Sequence, residues 1–203
     1  MKPVSPGNPC PFLRALVAVG LLSDEVEPLG RLSATVARVA AAGDGRPRLP
    51  ALAIRAIALV AAGLGPAQLA RTGLGGLRLG ALRGGPLDKR GAGSGILDAR
   101  GEVVEAELAR LDTFASDKES PDGTTERGLS LAELTRFMDA NFARAAGRRR
   151  IVDRKLMDGE WPVLLQVLGR DGAEGRYLPV ADVGRLFAER KLPRRMLDRL
   201  ALP

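Results

Sequence analysis

A single cysteine stands in the run Asn8-Pro9-Cys10-Pro11-Phe12-Leu13-Arg14-Ala15-Leu16. Proline suits the first turn of a helix, where its missing N–H costs nothing, so Pro11 predicts a helix start and places Cys10 at or beside the N-cap. Unpaired backbone N–H groups and the positive end of the helix dipole stabilise a thiolate there. Pro11 also removes one competing donor and fixes the direction of the backbone. A thiolate so held can be a nucleophile, a redox sensor or an axial ligand to haem iron; the bland alternative is a buried, inert thiol.

The rest of the chain narrows that chemistry. It has 203 residues, no histidine and one cysteine. This excludes Ser-His-Asp and Cys-His catalysis, the usual zinc sites, an internal disulfide and a thiolate-held iron–sulfur cluster. Without a histidine base the nucleophile reading is weakened. Aromatic residues are 3% of the chain, too few for a platform that stacks single-stranded nucleic acid. The net charge of +7 suggests a polyanionic partner, but 26 of the 31 basic residues are arginine in a chain rich in Ala, Gly, Leu and Pro, which is the mark of coding bias. Nucleic acid is therefore not the expected partner. Met1–Pro9 lacks the apolar run of a signal peptide, and Leu49–Leu64, the most apolar span, is interrupted by Arg55 and too short to cross a bilayer. A soluble cytoplasmic protein is expected.

The elements that must position Cys10 read as helices separated by glycine and proline. Helices are expected at Pro11–Leu22, Leu29–Ala42, Pro50–Gly63, Val103–Ala115, Leu129–Ala146, Trp161–Leu168, Val180–Arg190 and Pro193–Leu200. The clearest is Leu129–Ala146. Ser130-Leu131-Ala132-Glu133 forms a capping box, and Leu131, Leu134, Met138, Phe142 and Ala145 follow on one face. Gly63–Arg100 holds 11 of the 25 glycines and reads as a long loop, a length that is often functional. No segment alternates as a strand does. The expected fold is all-α, a single compact helical domain over residues 1–203 with a long Gly-rich loop region.

Two other motifs carry less. Gly73-Leu74-Gly75-Gly76 lacks the lysine and the preceding strand of a phosphate loop. Between Asp98 and Asp139 eleven acids face five bases, and Asp112–Glu133 resembles a stretched calcium loop. It lacks the alternating ligands and the spacing to Gly and Glu that calcium requires, so a solvated acidic turn is expected.

Pro9-Cys10-Pro11, followed by Leu13, Ala15-Leu16, Gly20 and Leu22, resembles the signature of the haem-thiolate peroxidases, the family of chloroperoxidase and the unspecific peroxygenases. There a Pro-Cys-Pro motif opens a helix and its cysteine is the proximal haem ligand. Asp122-Gly123-Thr124-Thr125 with Leu129-Ser130-Leu131-Ala132-Glu133-Leu134-Thr135-Arg136-Phe137 is similar to a family segment leading into a helix near the distal side of the haem. Leu186-Phe187-Ala188-Glu189-Arg190-Lys191-Leu192-Pro193 is similar to the family's closing helix. The resemblance implies haem b held by Cys10 between Pro9 and Pro11. It implies an oxidoreductase that uses hydrogen peroxide on a halide or a small organic substrate. It also implies a distal acid partnered by Arg or His, for which Asp139, three residues after Arg136, is the nearest match. The family's magnesium ion at a haem propionate would fall near Leu87-Asp88-Lys89-Arg90, where a basic residue stands in place of the histidine of some members. That departure weakens the magnesium expectation. A non-catalytic haem-binding or haem-sensing protein, and a basic interaction module on the same scaffold, are the alternatives.

Overall fold

Proline and glycine set most element boundaries, as their backbone limits require. The computed structural model describes residues 2–45, 49–89, 91–120 and 122–202. Helix α1 (Pro11–Ala18) begins on Pro11, and α2 (Leu29–Ala41) follows Pro28. Helix α3 (Ala51–Ala62) starts after Pro50 and stops at Gly63, whose φ is 131°. Helix α4 (Pro66–Gly75) lies inside the expected Gly-rich loop and corrects it: Pro66 starts a helix that tolerates Gly73 because both it and Gly75 face open space. A 3-10 turn at Leu79–Ala81 follows, then α5 (Glu105–Asp112).

The second half overturns the all-α expectation. Strands β1 (Ser116–Glu119), β2 (Thr125–Ser130), β3 (Arg170–Gly172) and β4 (Gly175–Pro179) form one antiparallel sheet in the order β1-β2-β4-β3. With 11% strand against 52% helix the fold is mixed α/β. Helices α6 (Leu131–Arg144) and α7 (Ile151–Leu168) lie between the hairpins in sequence. Helix α8 (Val180–Gly184) runs on into a π turn (Arg185–Glu189), and α9 (Arg194–Arg199) closes the described chain. The strands escape a propensity reading because they are short and polar, Ser-Asp-Lys-Glu and Arg-Asp-Gly among them. Cross-strand packing defines them instead. The buried Tyr177 ring of β4 lies over Gly128 of β2 and Gly172 of β3, where an added Cβ would come within 2.4 Å and 2.8 Å of it.

The chain thus repeats a helix–hairpin–helix unit, first α5 to α6 and then α7 to α8. The two are joined by β2 and β4 with Leu129 opposite Leu178. Each hairpin leads directly into its exit helix, and each exit helix carries a buried acid at its third position, Glu133 and Asp182. Each acid meets a cation of the chain itself, Lys118 Nζ at 3.0 Å and Arg195 Nη1 at 2.5 Å. Packed behind the sheet, Phe114, Phe137, Trp161 and Phe187 form a continuous aromatic series with ring centroids 5.5, 5.3 and 6.3 Å apart. The hydrophobic core extends from these rings to Ala15, Leu16 and Val17 of α1 and to Val36 and Val39 of α2.

Glu133 is held at about 2 against an ordinary 4.5. Burial alone would raise it, but hydrogen bonds from Ser116 Oγ (2.5 Å) and the Ser130 N–H (2.6 Å), with the Lys118 ammonium, outweigh that cost. The folded value lies below the unfolded one, so its stabilisation is fully present above about 4.5 and is lost as pH falls towards 2. Glu133→Gln should remove about 2 kcal/mol at neutral pH and flatten the acid limb of stability between those values. Urea unfolding at neutral pH and at about pH 3 checks this.

Candidate functional site

Cys10 is the N-cap of α1, with extended backbone (φ −84°, ψ 113°) and no side-chain cap bond of its own. The backbone N–H groups of Leu13 and Phe12, at the open first turn of the helix, favour the anionic form of its thiol. The turn that delivers it is built from buried polar groups. Asn8 is fully buried; its Oδ1 accepts the Cys10 N–H at 3.3 Å, and its Nδ2 donates to Asp24 Oδ1 at 3.2 Å. Asp24 also accepts the Ser5 N–H. Arg14, itself buried, donates to the carbonyls of Ser5 (3.0 Å), Asn8 (3.1 Å) and Gly101 (2.9 Å). A Cβ at Gly101 would lie 2.7 Å from the Arg14 guanidinium, and its φ of +74° also favours glycine. From the other side, the Arg83 N–H donates to the Gly7 carbonyl at 2.9 Å. The Gly-rich region and α1 together clamp the Pro9-Cys10-Pro11 turn.

The charged pair whose field reaches the thiol is Lys89 and Glu160, joined at 2.5 Å. Helix α7 fixes both members. Arg150, at its start, donates to the carbonyls of Asp88 (2.6 Å) and Pro86 (3.3 Å), while the buried Asp153 holds the Arg150 side chain at 2.8 Å. Glu160 lies two turns further along the same helix.

The electrostatics of the thiol are a contest. Burial pushes Cys10 up most, the Leu13 amide pulls it down, the Glu160 carboxylate pushes it up, and the Lys89 ammonium and Phe12 amide pull it down. The net direction is upward from 9.0. Lys89 also stands above its ordinary value, because Glu160 outweighs the burial that would lower it. The half-buried thiol keeps its proton at neutral pH unless a cation replaces it. The donor set fits a haem iron on the cysteine side: one sulfur, two amide N–H groups that favour its anionic form, and a fixed turn.

The other expected site residues lie elsewhere. Arg136 and Asp139 are exposed on α6, and Asp139 is ion-paired to Arg154 at 2.8 Å, with its side chain 62% exposed. They are not among the groups acting on Cys10. Pro9 and Pro11 flank the thiol as expected. At the proposed magnesium stretch, Asp88 Oδ2 accepts the Gly84 N–H at 2.6 Å, and Arg90 lies outside the described residues. No group of three or more metal-ligating side chains occurs among the described residues. In the acidic segment Glu133 is buried rather than solvated, while Asp122 is satisfied by Ser120 and Thr124. Arg149 stacks on Phe142 with 3.9 Å to the ring centroid, so two members of the Arg148-Arg149-Arg150 run are engaged within the protein. Two grooves, of about 340 and 170 Å³, lie at α2 beside Arg31 and Arg38 and between the hairpins beside Lys118 and Tyr177; Cys10 lines neither.

Sequence reasoning missed Glu160. Its signal was present as the one charged residue in the second half of α7, directly before Trp161-Pro162.

Alkylation of Cys10 should be slow at pH 8. Lys89→Met should slow it about threefold or more by leaving Glu160 unopposed, and Glu160→Gln should speed it by a similar factor. Arg136→Ala and Asp139→Ala should leave it unchanged. Stopped-flow bimane labelling across pH measures all four. No family model, no curated protein and no solved structure matches the chain.

Proposed function

We propose that this is a haem-thiolate protein with peroxidase or peroxygenase activity, using hydrogen peroxide on a halide or small organic substrate in the cytoplasm. The observation that carries the reading is one thiol at a proline-opened helix start, within the field of two backbone amides and of a Lys–Glu pair. When bound, a thiolate-ligated haem b supplies peroxide activation, favoured by electron donation from sulfur. The chain's own groups do the rest. The Phe12 and Leu13 amides stabilise charge on Sγ, and Asn8 with Arg14 keeps the turn from shifting. In this reading the acid role passes from Asp139 to Glu160. With haem and peroxide bound, one of its carboxylate oxygens would take a proton and release it to the leaving oxygen. Lys89, 2.5 Å away, holds the Glu160 carboxylate in place. A basic partner for the distal acid is what the family resemblance implies, with lysine here in place of Arg or His.

A second reading, haem binding without turnover, draws on the same pair: Glu160 is already engaged by Lys89 at 2.5 Å. Spectra of protein purified with added haem separate these ideas. A red-shifted thiolate-type Soret band in the reduced, CO-bound form is expected, and Cys10→Ser should abolish it. Glu160→Gln should then lower peroxide-dependent oxidation of a chromogenic donor by about 10²-fold or more without moving the band. Asp139→Ala should leave the rate unchanged. Absence of haem uptake, or a band indifferent to Cys10→Ser, overturns the haem-thiolate reading. A thiolate spectrum without turnover selects the second.

A further inference from the structure

The net charge of the protein is segregated. Residues 45–87 contain six arginines (46, 48, 55, 71, 78 and 83) and no acid, leaving 25 basic residues against 24 acids in the rest of the chain. Evenly spread, 24 acids in 203 residues would put about five in a stretch of that length. Composition accounts for the arginines. It does not account for the missing acids.

The same stretch leaves much of its apolar surface exposed. Helix α3 is apolar at every position except Arg55, yet only Ala58 is buried. At 100° per residue, Leu52, Ala53, Ala56 and Ile57 share an arc of about 140°. All four are exposed, Leu52 at 79% and Ile57 at 61%. The inward side, Ile54, Ala58, Ala61 and Ala62, packs on the core. The turn into α4 presents Leu64 at 64%, and α4 presents Ala67, Ala70, Arg71 and Leu74 at i, i+3, i+4 and i+7, with Leu74 at 93%. Arg55, Arg71, Arg78 and Arg83 take part in no ion pair among the described residues, whereas the second half of the chain pairs most of its cations. Water-facing leucines and isoleucine beside unpaired arginines form a surface that is costly in solvent and complementary to one environment, the interface of an anionic bilayer. Among the described residues no helix is long and apolar enough to cross a membrane, so α3 and α4 would lie in the plane of the surface.

We propose that the α3–α4 face docks on anionic phospholipid bilayers, with Leu52, Ile57, Leu64 and Leu74 entering the headgroup–acyl boundary and Arg71 and Arg78 contacting lipid phosphates. The docking is independent of what Cys10 binds. Flotation of the full chain with vesicles made of equal parts phosphatidylcholine and phosphatidylglycerol should recover it with the lipid. Phosphatidylcholine vesicles alone should recover at least tenfold less. The triple variant Leu52→Ser, Ile57→Ser, Leu74→Ser should lose at least tenfold in lipid partitioning while keeping the circular dichroism and melting temperature of the parent, since all three side chains are exposed. Arg71→Glu with Arg78→Glu should lose binding to a similar degree with the apolar face intact. Equal recovery on neutral and anionic vesicles, or none on either, overturns the proposal. So does a concentration-dependent dimer in sedimentation that the triple variant abolishes, because the face then belongs to a second copy.

Discussion

The burial of Trp161 fixes more of this molecule than any other single contact. Its indole lies between the rings of Phe137 and Phe187, so helix α7 can adopt one rotation about its axis. Adjacent helical residues are set 100° apart, so seating Trp161 determines where Glu160 points. It points at Lys89. The start of the same helix holds the backbone carbonyls at residues 86 and 88 through Arg150, so one rigid element sets both members of the pair. At its other end α7 passes into β3 through Gly169, where a Cβ would strike the Leu165 carbonyl at 2.2 Å. Sheet, aromatic core and thiol site therefore share one helix as their common reference.

On the opposite side, Arg14 plays the matching part for Cys10. A buried guanidinium is costly, and burial lowers its pKa, but three carbonyl acceptors drawn from residues 5, 8 and 101 offset much of that cost. Those acceptors belong to the strap before Cys10 and to the end of the Gly-rich region, which have no secondary structure to hold them. The ion takes its place. What results is a thiol whose position is tightly specified and whose proton is held: two amides favour the anion, while burial and Glu160 oppose it and prevail. An inert core cysteine needs neither the amides nor the carboxylate. That combination, more than the sulfur alone, is what supports the proposed ligand role.

How much of this was legible in the chain depends on whether local or distant groups decide. The capping box at Ser130 and Glu133 was, because both partners lie within one turn. Even there the buried face is centred on Phe137, with Asn141 and Leu134, while Leu131 is half exposed as the first residue after the cap. The start of α1 at Pro11 was legible for the same local reason. The sheet was not. Its strands are recognisable only once Tyr177 is seen to fill the space above Gly128 and Gly172, residues 49 and 5 positions away in sequence. Helix α4 was hidden by glycines that lower propensity without forbidding a helix whose outer face is open. The pairing of Lys89 with Glu160 spans 71 residues and has no local signature at all. A distal acid was therefore sought on the best-marked helix, α6, where Asp139 instead answers Arg154 in solvent.

The charge of the protein shows the same division between composition and arrangement. A surplus of arginine is a weak sign of function, because coding bias produces it everywhere at once. Distribution is a stronger one. In the second half of the chain the arginines are consumed internally: Arg195 meets Asp44 and Asp182, Arg144 meets Glu107, and Arg170 meets Glu126. Glu107 is consequently pulled down to about 2, first by the Arg144 hydrogen bond, which burial opposes and Arg110 reinforces. Such pairs neutralise the surface at short range and leave little field beyond a Debye length. Residues 45–87 contain no acid, and among the described residues their arginines are in no ion pair, while many neighbouring side chains are alanine, leucine and isoleucine. A potential that is not cancelled locally extends into solvent, and it does so from a face that also has apolar area to bury. Attraction and burial then act on the same face. An anionic interface satisfies both, whereas a polyanion in water would leave the leucines exposed.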